Sequence, residues 1–494
     1  MIYNSTRDRQ VAVPAAQAIA QGISKDGGLF VPETIPQFSP ADFTALRELS
    51  YIDRAARVLQ PFLTDFSAEE LAHCVHGAYT GTFDNDAPAP LYKLCDKQYV
   101  MELWHGPTCA FKDLALQLLP YLMTTAAGKV SGGKKIVILV ATSGDTGKAA
   151  LEGFKDVENT QIMVFYPDNG VSAMQKLQMD TQQGDNVFVC AIKGNFDDAQ
   201  SGVKKIFTDP QMARKLAEKN CVFSSANSIN WGRLVPQIVY YVSAYCDLLN
   251  QGEDVSRGFN VVVPTGNFGN ILAAYYARQM GVPIHRLVCA SNRNNVLTDF
   301  IKTGVYDRNR DFHTTLSPSM DILISSNLER MLYELSGHDD VYVAGLQKQL
   351  AETGRFEITG AVLQKLQALF YAGFCDDAAT LQTIRQTYEA YKYLADTHTG
   401  VALNVCDAFL REAGDGRPVI VASTASPYKF SPAVLRAVTG ELPDTDEFGM
   451  VDALHAATGV PVPAPIAGLK SRTPRFSQIC DKAEMAGVVL ANLK

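Results

Sequence analysis

Short apolar segments that alternate with amphipathic helical patterns constrain the fold of this chain more than any other feature. Each segment is followed by a loop and then by a helical pattern, which is typical of parallel strands joined by helical crossovers. Because the segments are apolar on both faces, they predict a sheet that helices cover on each side. The candidate strands are residues 136–140, 162–166, 187–192, 261–263, 286–290 and 419–422.

The length of 494 residues exceeds what a single hydrophobic core usually supports, so several domains are expected. Residues 1–95 mix helical patterns with turn-rich loops and end in a segment rich in Asp and Pro. We predict an N-terminal domain over 1–95, an α/β region over 96–440 and a C-terminal segment over 441–494. Within the α/β region, residues 307–413 are predicted to form a mainly helical insertion.

Net charge and hydrophobic patterning limit the kinds of molecule that this protein is expected to bind. A net charge of −8 is modest for this length and argues against electrostatic attachment to nucleic acid or to an anionic membrane. The sequence contains no apolar run of the roughly 18 residues that a membrane-spanning helix needs, and its start is a poor secretory signal. We therefore expect a cytoplasmic protein, a monomer or homodimer, that binds a small molecule.

Cysteine and histidine patterns give little support for a metal site. The 10 cysteines show neither Cys-x-x-Cys pairs nor zinc-ribbon spacing, and several lie inside apolar runs, where cysteine acts as a small hydrophobe. His73 and His76 have no second cluster to accompany them, and helical spacing predicts that both lie on a surface face. No metal is expected.

Residues 264–270, Pro-Thr-Gly-Asn-Phe-Gly-Asn, form a candidate anion site. They follow a buried strand and open into a helical run, so Gly266 and Gly269 lie at a helix amino terminus. Backbone N–H groups and the helix dipole attract phosphate at such a position. A tight strand-to-helix turn without a ligand explains the same glycines equally well.

Two nucleotide-binding motifs do not match. A dinucleotide fingerprint needs Gly-x-Gly-x-x-Gly, whereas this loop has only Gly-x-x-Gly. A P-loop needs four residues between its first glycine and Gly-Lys, whereas only two separate Gly144 from Gly147 and Lys148. A compact phosphate monoester is therefore a better ligand than a nucleotide.

Lys112 is the candidate nucleophile. It opens an apolar helical run directly after Phe111, and partial burial there would lower its pKa and make the neutral amine accessible. The alternative is a surface lysine whose neighbour Asp113 only favours the helix dipole. On these residues alone, the surface alternative is favoured.

Two further loops after predicted strands, 141–147 and 422–427, are rich in hydroxyl groups and suit an anion. Each could equally be an ordinary helix cap or turn, with Asp145 or Thr146 as the cap in the first of them. Three anion-friendly loops and one candidate lysine in a single predicted sheet favour a ligand site, because loops at the carboxyl ends of parallel strands converge.

The segment 105–113, His-Gly-Pro-Thr-Cys-Ala-Phe-Lys-Asp, resembles the cofactor-lysine motif of the threonine synthases. The resemblance runs nearly end to end and is closest to the longer form of fungi and many bacteria. It includes the Met-Ile-Tyr-x-Ser-Thr-Arg opening and the segments at 27–32, 142–147, 227–233, 266–269 and 315–322.

This resemblance implies a fold type II pyridoxal-phosphate enzyme with mostly parallel sheets in two α/β subdomains. It implies conversion of O-phospho-L-homoserine and water to L-threonine and phosphate, by γ-elimination and β-addition of water. Lys112 would hold pyridoxal 5'-phosphate as a Schiff base, and Thr424 would hydrogen-bond the pyridine nitrogen. The cofactor phosphate would be bound by Gly266, Asn267, Phe268 and Asn270. Ser143, Asp145 and Thr146 would lie beside the substrate.

Two other functions stay open. A lyase similar to the serine and threonine dehydratases would share the cofactor but lack the phosphate-leaving step. Those enzymes usually carry Ser-x-Lys, whereas this chain has Phe111 before Lys112. A non-catalytic relative that binds a phosphorylated ligand is the second alternative.

Overall fold

The computed structural model describes residues 1–494 except Asp86, Ser143, Gly170, Asp415, Lys494 and the side chain of Asp197. The strands are β1 (Ile2–Ser5), β2 (Ala12–Pro14), β3 (Phe30–Pro32), β4 (Leu91–Cys95), β5 (Gln98–Glu102), β6 (Lys135–Ala141), β7 (Thr160–Pro167), β8 (Val187–Lys193), β9 (Cys221–Ser224), β10 (Phe259–Pro264), β11 (Ile284–Ser291), β12 (Val305–Asp307), β13 (Arg355–Glu357), β14 (Phe370–Phe374), β15 (Val419–Ser423) and β16 (Ile479–Asp481).

The helices of the first half are α1 (Ala15–Gln21), α2 (Pro40–Arg47), α3 (Tyr51–Leu59), α4 (Ala68–Tyr79), α5 (Lys112–Leu116), α6 (Leu119–Val130), α7 (Asp145–Phe154), α8 (Ala173–Asp180), α9 (Phe196–Thr208), α10 (Pro210–Glu218) and α11 (Trp231–Asn250). Those of the second half are α12 (Gly269–Gln279), α13 (Val296–Thr303), α14 (Leu328–Ser336), α15 (Asp340–Thr353), α16 (Gly360–Leu369), α17 (Asp377–Tyr391), α18 (Thr397–Ala413), α19 (Ser431–Thr439), α20 (Glu447–Thr458), α21 (Ala464–Ala467) and α22 (Met485–Asn492). Short 3₁₀ helices occur at Pro318–Met320, Pro427–Phe430 and Lys482–Glu484.

The two largest sheets consist mostly of parallel strands. The six-stranded sheet has the order β14-β11-β10-β15-β5-β4, in which β4 alone is antiparallel to its neighbour. The five-stranded sheet has the order β16-β8-β7-β6-β9 and is parallel. An antiparallel β2-β1-β3 sheet and α1 to α4 make up the amino-terminal part.

All six strands predicted from apolar patterning lie within observed strands, β6, β7, β8, β10, β11 and β15. Helices cover both faces of each sheet, as predicted. One face of each contributes to a shared core, while the other packs under α18 in the six-stranded sheet and under α9, α10 and α22 in the five-stranded sheet. The α/β fold class is therefore confirmed.

The expectation that the three anion-friendly loops belong to a single sheet is wrong. The loop after β6 belongs to the five-stranded sheet, whereas those after β10 and β15 belong to the six-stranded sheet. Strand patterns predict which residues are extended but not which strands pair, since pairing depends on contacts distant in sequence. The loops nevertheless meet, because α5 packs against both α7, the helix that follows the loop after β6, and α11.

Three expectations from the sequence concern the 307–413 segment, metal binding and membrane insertion. The segment predicted as a mainly helical insertion contains β14, which pairs with β11 at the edge of the six-stranded sheet. His73 and His76 are exposed, and in the part of the chain that the structure describes no group of His, Cys, Asp and Glu is arranged for a metal ion. None of the described helices combines the length and apolar character that a bilayer crossing requires.

Candidate active site

Lys112 lies beside the end of β15 because the chain before it runs along that strand. The Leu103 N–H donates to the Ser423 carbonyl at 2.9 Å, and the Phe111 N–H donates to the Thr424 carbonyl at 2.9 Å. Lys112 is then the first residue of α5, with a side chain that is 12% exposed. The predicted nucleophile and the predicted pyridine partner are therefore neighbours.

Ser319 joins Lys112 to the glycine loop after β10. The Lys112 Nζ lies 3.5 Å from the Ser319 Oγ. A Cβ placed on Gly266 would lie 2.7 Å from the Ser319 carbonyl oxygen, so the loop backbone packs tightly on the other side of this residue. The candidate amine and the candidate phosphate loop thus flank one serine, as a single compact phosphate-bearing ligand requires.

The glycine loop itself has the geometry of an anion cradle. Phe268 adopts a left-handed conformation with φ 64°, and its ring packs against Phe370, which turns the backbone sharply into α12. Asn327 donates to the Asn267 carbonyl through its backbone N–H and its Nδ2, both at 3.1 Å. The opening N–H groups of α12 have no acceptor within the helix and remain available to an anion.

Asn270, the second residue of α12, has a buried donor next to this cradle. Its Oδ1 accepts hydrogen bonds from the hydroxyls of Tyr240, at 2.8 Å, and Tyr241, at 2.5 Å. Its Nδ2 is buried and has no hydrogen-bond partner among the described residues. An aspartate at this position would accept from both tyrosines but would offer no donor. An unpaired amide here fits a cofactor phosphate, because buried donors cost free energy unless they are hydrogen-bonded.

Asp145 lies on the opposite side of Lys112. Its Oδ1 is 2.8 Å from the Lys429 Nζ, and its Oδ2 is 3.8 Å from the Lys112 Nζ. Burial by itself raises the pKa of the Asp145 carboxyl, but the charges of Lys429 and Lys112 outweigh it and hold that pKa well below its usual range. Asp145 is therefore an ion-pair partner and remains ionised.

The rest of the loop after β6 corrects the sequence interpretation in which Asp145 or Thr146 caps α7. The cap of α7 is the Thr142 Oγ1, which accepts the N–H groups of Gly144 and Gly147 at 3.0 Å each. Neither Asp145 nor Thr146 caps the helix, and Thr146 is half-buried in its first turn. Ser143, the third predicted substrate residue, lies outside the described residues.

Arg233 is a site residue that reasoning from the sequence did not single out. It is 3% exposed, and its Nη1 donates to the Ala226 carbonyl at 2.7 Å. Its Nε has no partner in the described part of the chain, and burial alone lowers its pKa to about 10. The motif at 227–233 places this arginine at the start of α11, but only the fold reveals that its charge is buried with no counter-ion among the described residues.

Lys112 experiences these charges directly. Burial is the largest cause that lowers the pKa of its ammonium, and the positive charges of Lys429 and Arg233 lower it further. The carboxylate of Asp145 opposes them. A lysine with a lowered pKa supplies the neutral amine that attack on a carbonyl carbon requires.

Asp113, the neighbour of Lys112, is buried and held by Thr108. Its Oδ2 accepts the Thr108 N–H at 2.8 Å and its Oδ1 accepts the Thr108 hydroxyl at 2.6 Å. Burial raises its pKa to about 6 in spite of these bonds. The carboxyl therefore shapes the turn before α5 rather than simply favouring the helix dipole.

This raised pKa predicts a pH dependence of stability. The stabilising effect of holding a protonated Asp113 is complete below its unfolded pKa of about 4 and is lost as the pH rises through about 6. Two pKa units correspond to about 3 kcal/mol. Asp113→Asn should flatten the free energy of unfolding between pH 4 and pH 6, as measured by urea denaturation. A variant whose slope over this range equals that of the wild type would contradict the assignment.

A buried lysine beside a glycine loop, at the carboxyl ends of parallel strands from two α/β units, defines the class of protein. The family model described as "Pyridoxal-phosphate dependent enzyme" matches residues 86–424. Models described as "Threonine synthase N terminus" and "Threonine synthase, C-terminal" match residues 2–79 and 399–489. The chain is thus of the fold type II class, and the expected cofactor, pyridoxal 5'-phosphate, is confirmed.

Individual relatives identify the family within this class. The threonine synthase of Pseudomonas aeruginosa is 39% identical over 443 residues, which cover 90% of this chain and 92% of that protein. A crystal structure of pyridoxal-phosphate-bound threonine synthase from Brucella melitensis is 37% identical with a TM-score of 0.88, covering 100% of this chain and 99% of that one. The chain belongs to the threonine synthase family.

A second kind of relative is also similar. Threonine synthase-like 1 of Homo sapiens is 43% identical over 435 residues, which cover 86% of this chain. The match covers 58% of the length of that protein. Membership of the family therefore leaves the reaction itself to be argued from the site.

Proposed function

We propose that this protein converts O-phospho-L-homoserine and water to L-threonine and phosphate. One observation carries the proposal: two separate anion positions occur near Lys112, one bordered by Ser319 and the other on α11, which packs against the helix that Lys112 opens. The glycine loop after β10 offers one, and the guanidinium of Arg233, which lacks a counter-ion among the described residues, offers the other. A reaction that joins a phosphorylated cofactor to a phosphorylated substrate needs both.

The cofactor contacts are assigned from the loop geometry and from the family resemblance. Gly266, Asn267, Phe268 and Asn270 would hold the phosphate through backbone N–H groups and the unpaired Asn270 amide. Thr424, which is 6% exposed at the end of β15, would face the pyridine nitrogen. When bound, pyridoxal 5'-phosphate withdraws electrons from the substrate carbons and makes their protons acidic.

The remaining chemistry is proton transfer and charge stabilisation by side chains. The amine of Lys112 would remove a proton from the substrate Cα, and loss of a proton from Cβ would then supply the electron pair that expels phosphate as the Cγ–O bond breaks. Protons would return to Cγ and, after water adds at Cβ with loss of its own proton, to Cα. Arg233 would hold the substrate phosphate, whose negative charge increases as it leaves. Ser143, Asp145 and Thr146 are proposed to line the substrate side.

Of the two alternatives, only the dehydratase-like lyase predicts a different site. A dehydratase-like lyase acts without a leaving phosphate and has no need of a second buried cation beside the lysine. A non-catalytic binder would retain both anion positions, so the geometry does not distinguish it from an enzyme. Turnover must therefore be measured. The cytoplasmic location also stays a prediction.

The deciding experiment is release of inorganic phosphate from O-phosphohomoserine, with threonine quantified in the same sample. We expect equal amounts of both products. Ammonia and a 2-oxo acid from serine or threonine, without phosphate release, would support the dehydratase. Binding of O-phosphohomoserine without either product would support the non-catalytic alternative.

The close approach at Gly266 predicts a selective effect on the cofactor. Gly266→Ala places a methyl group 2.7 Å from the Ser319 backbone oxygen, so the loop must shift, whereas the nearest atom to a Cβ on Gly269 is 3.4 Å away. We expect Gly266→Ala to weaken cofactor binding at least about tenfold at a stability cost of about 1–3 kcal/mol. Gly269→Ala is the matched control and should bind nearly as wild type. Titration by absorbance measures both, and equal affinities in the two variants would contradict the cradle.

A further inference from the structure

Lys429 is a second buried lysine at the site, and its ammonium contacts two protein groups. It lies in the 3₁₀ helix Pro427–Phe430, with a side chain that is 1% exposed. Its Nζ donates to the Thr108 carbonyl at 2.9 Å and pairs with the Asp145 Oδ1 at 2.8 Å. A lysine fixed in this way is poorly placed to bind a substrate and well placed to act on its neighbours.

Lys112 and Lys429 share one carboxylate unequally. Asp145 is 2.8 Å from the Lys429 Nζ and 3.8 Å from the Lys112 Nζ. Attraction between opposite charges falls with distance, so Asp145 is bound chiefly by Lys429. Gln175 strengthens this arrangement, because its Nε2 donates to the same Oδ1 that Lys429 contacts, at 3.2 Å. The Oδ2 is left facing Lys112 at a longer distance.

We propose that Lys429 is a positioning residue whose ammonium engages Asp145 and so prevents that carboxylate from trapping Lys112 as a close ion pair. Lys112 then stays available as a free amine to bind the cofactor and to transfer protons. This role rests on the proposed function only in assigning those tasks to Lys112. Nothing in it requires Lys429 to touch the substrate.

The charged groups with the largest effects on Lys112 come from four places in the fold. Asp145 faces it from α7, Arg233 from α11 and Lys429 from the 3₁₀ helix, while Asp113 is on its own helix. His398 acts on Asp145 and is itself hydrogen-bonded through Nδ1 to Asp396. In this set Lys429 is the only cation within 3 Å of the Asp145 carboxylate, so its removal changes the balance most directly.

The test measures the titration of Lys112 in the full-length chain freed of cofactor. Trace acetylation with acetic anhydride across a pH series, followed by peptide mass spectrometry, gives the midpoint for this one amine. Lys429→Met leaves the Asp145 carboxylate to Lys112, and the midpoint should rise by about 1–3 units, the effect of an unshared opposite charge at short range. At neutral pH this corresponds to about 10–1,000-fold less neutral amine.

Two further variants separate charge from packing. Asp145→Asn leaves Lys429 unopposed, so the midpoint should fall below that of the wild type. The double variant Asp145→Asn/Lys429→Met should lie below the single Lys429→Met variant. If Lys429→Met does not fold, the shift in Asp145→Asn decides the question.

An unchanged midpoint in either single variant, or a double variant as high as Lys429→Met, would overturn this role for Lys429. Phosphate release is measured separately and does not enter the readout. A chain that gives the expected order of midpoints but no phosphate release would refute the proposed reaction and leave the role of Lys429 intact.

Discussion

Lys112→Ala is expected to eliminate both the visible absorbance of the bound cofactor and the release of phosphate from O-phosphohomoserine. The reason is that one amine supplies the covalent attachment and the proton transfers. Loss of a positioned acid–base group alone lowers rates by about 10²–10⁴-fold, and loss of the attachment adds to this. Absorbance spectra and the phosphate assay, at equal protein concentration, measure the two effects.

Lys348→Ala is the matched control, since that side chain is 74% exposed on α15, a helix that packs mainly against β13 and α14. It should retain colour and turnover. Borohydride reduction followed by peptide mapping adds an independent check, because it marks the lysine that carries the cofactor. A pyridoxyl group on any lysine other than Lys112, or turnover in Lys112→Ala, would refute the assignment.

The fold could be predicted from the sequence to the extent that it depends on local pattern. Buried parallel strands are apolar throughout, so 162–166 and 187–192 identified β7 and β8 from their composition alone. The loop at 264–270 likewise identified a helix amino terminus, because glycines follow a strand and precede a helical run. Lys112 could be named only through resemblance, since a lysine at the start of a helix usually lies on the surface.

The features that could not be predicted all depend on contacts between distant segments. Ser319 reaches Lys112 across 207 positions, and Lys429 lies 284 positions from Asp145 (429 minus 145). Likewise, the sequence of β6 or of β9 alone does not show that these two strands pair with each other and not with strands of the other sheet. An arginine motif does not show whether its guanidinium has a counter-ion, because this depends on every element that surrounds it.

Arg233→Met is expected to lower turnover and at the same time to leave the unliganded protein at least as stable as the wild type. The Arg233 guanidinium is buried and has no counter-ion in the described part of the chain, which costs free energy, and replacing a buried charge by an apolar side chain of similar size is often neutral or stabilising. Loss of the bond to the Ala226 carbonyl offsets about 1 kcal/mol of this gain. Because the Arg233 guanidinium would stabilise the leaving phosphate, its removal should lower kcat/KM by about 10²–10³-fold.

Arg330 offers the matched comparison, because burial lowers its pKa to about 10 as it does for Arg233. Its guanidinium, however, donates to the carbonyls of Phe30 and Ile229 and to the Asn327 side chain. Arg330→Met should therefore lower the free energy of unfolding by about 2–4 kcal/mol.

Binding of inorganic phosphate separates a structural role of Arg233 from a role in binding the leaving phosphate. A ligand that binds only the folded state raises the melting temperature, so phosphate should stabilise the wild type and Arg330→Met but not Arg233→Met. Cofactor should be bound in all three samples, so that its phosphate occupies the glycine loop and the added phosphate tests the proposed substrate position. Equal stabilisation of Arg233→Met by phosphate, or a loss of unliganded stability as large as in Arg330→Met, would show that this guanidinium is a structural group and not the partner of the leaving phosphate.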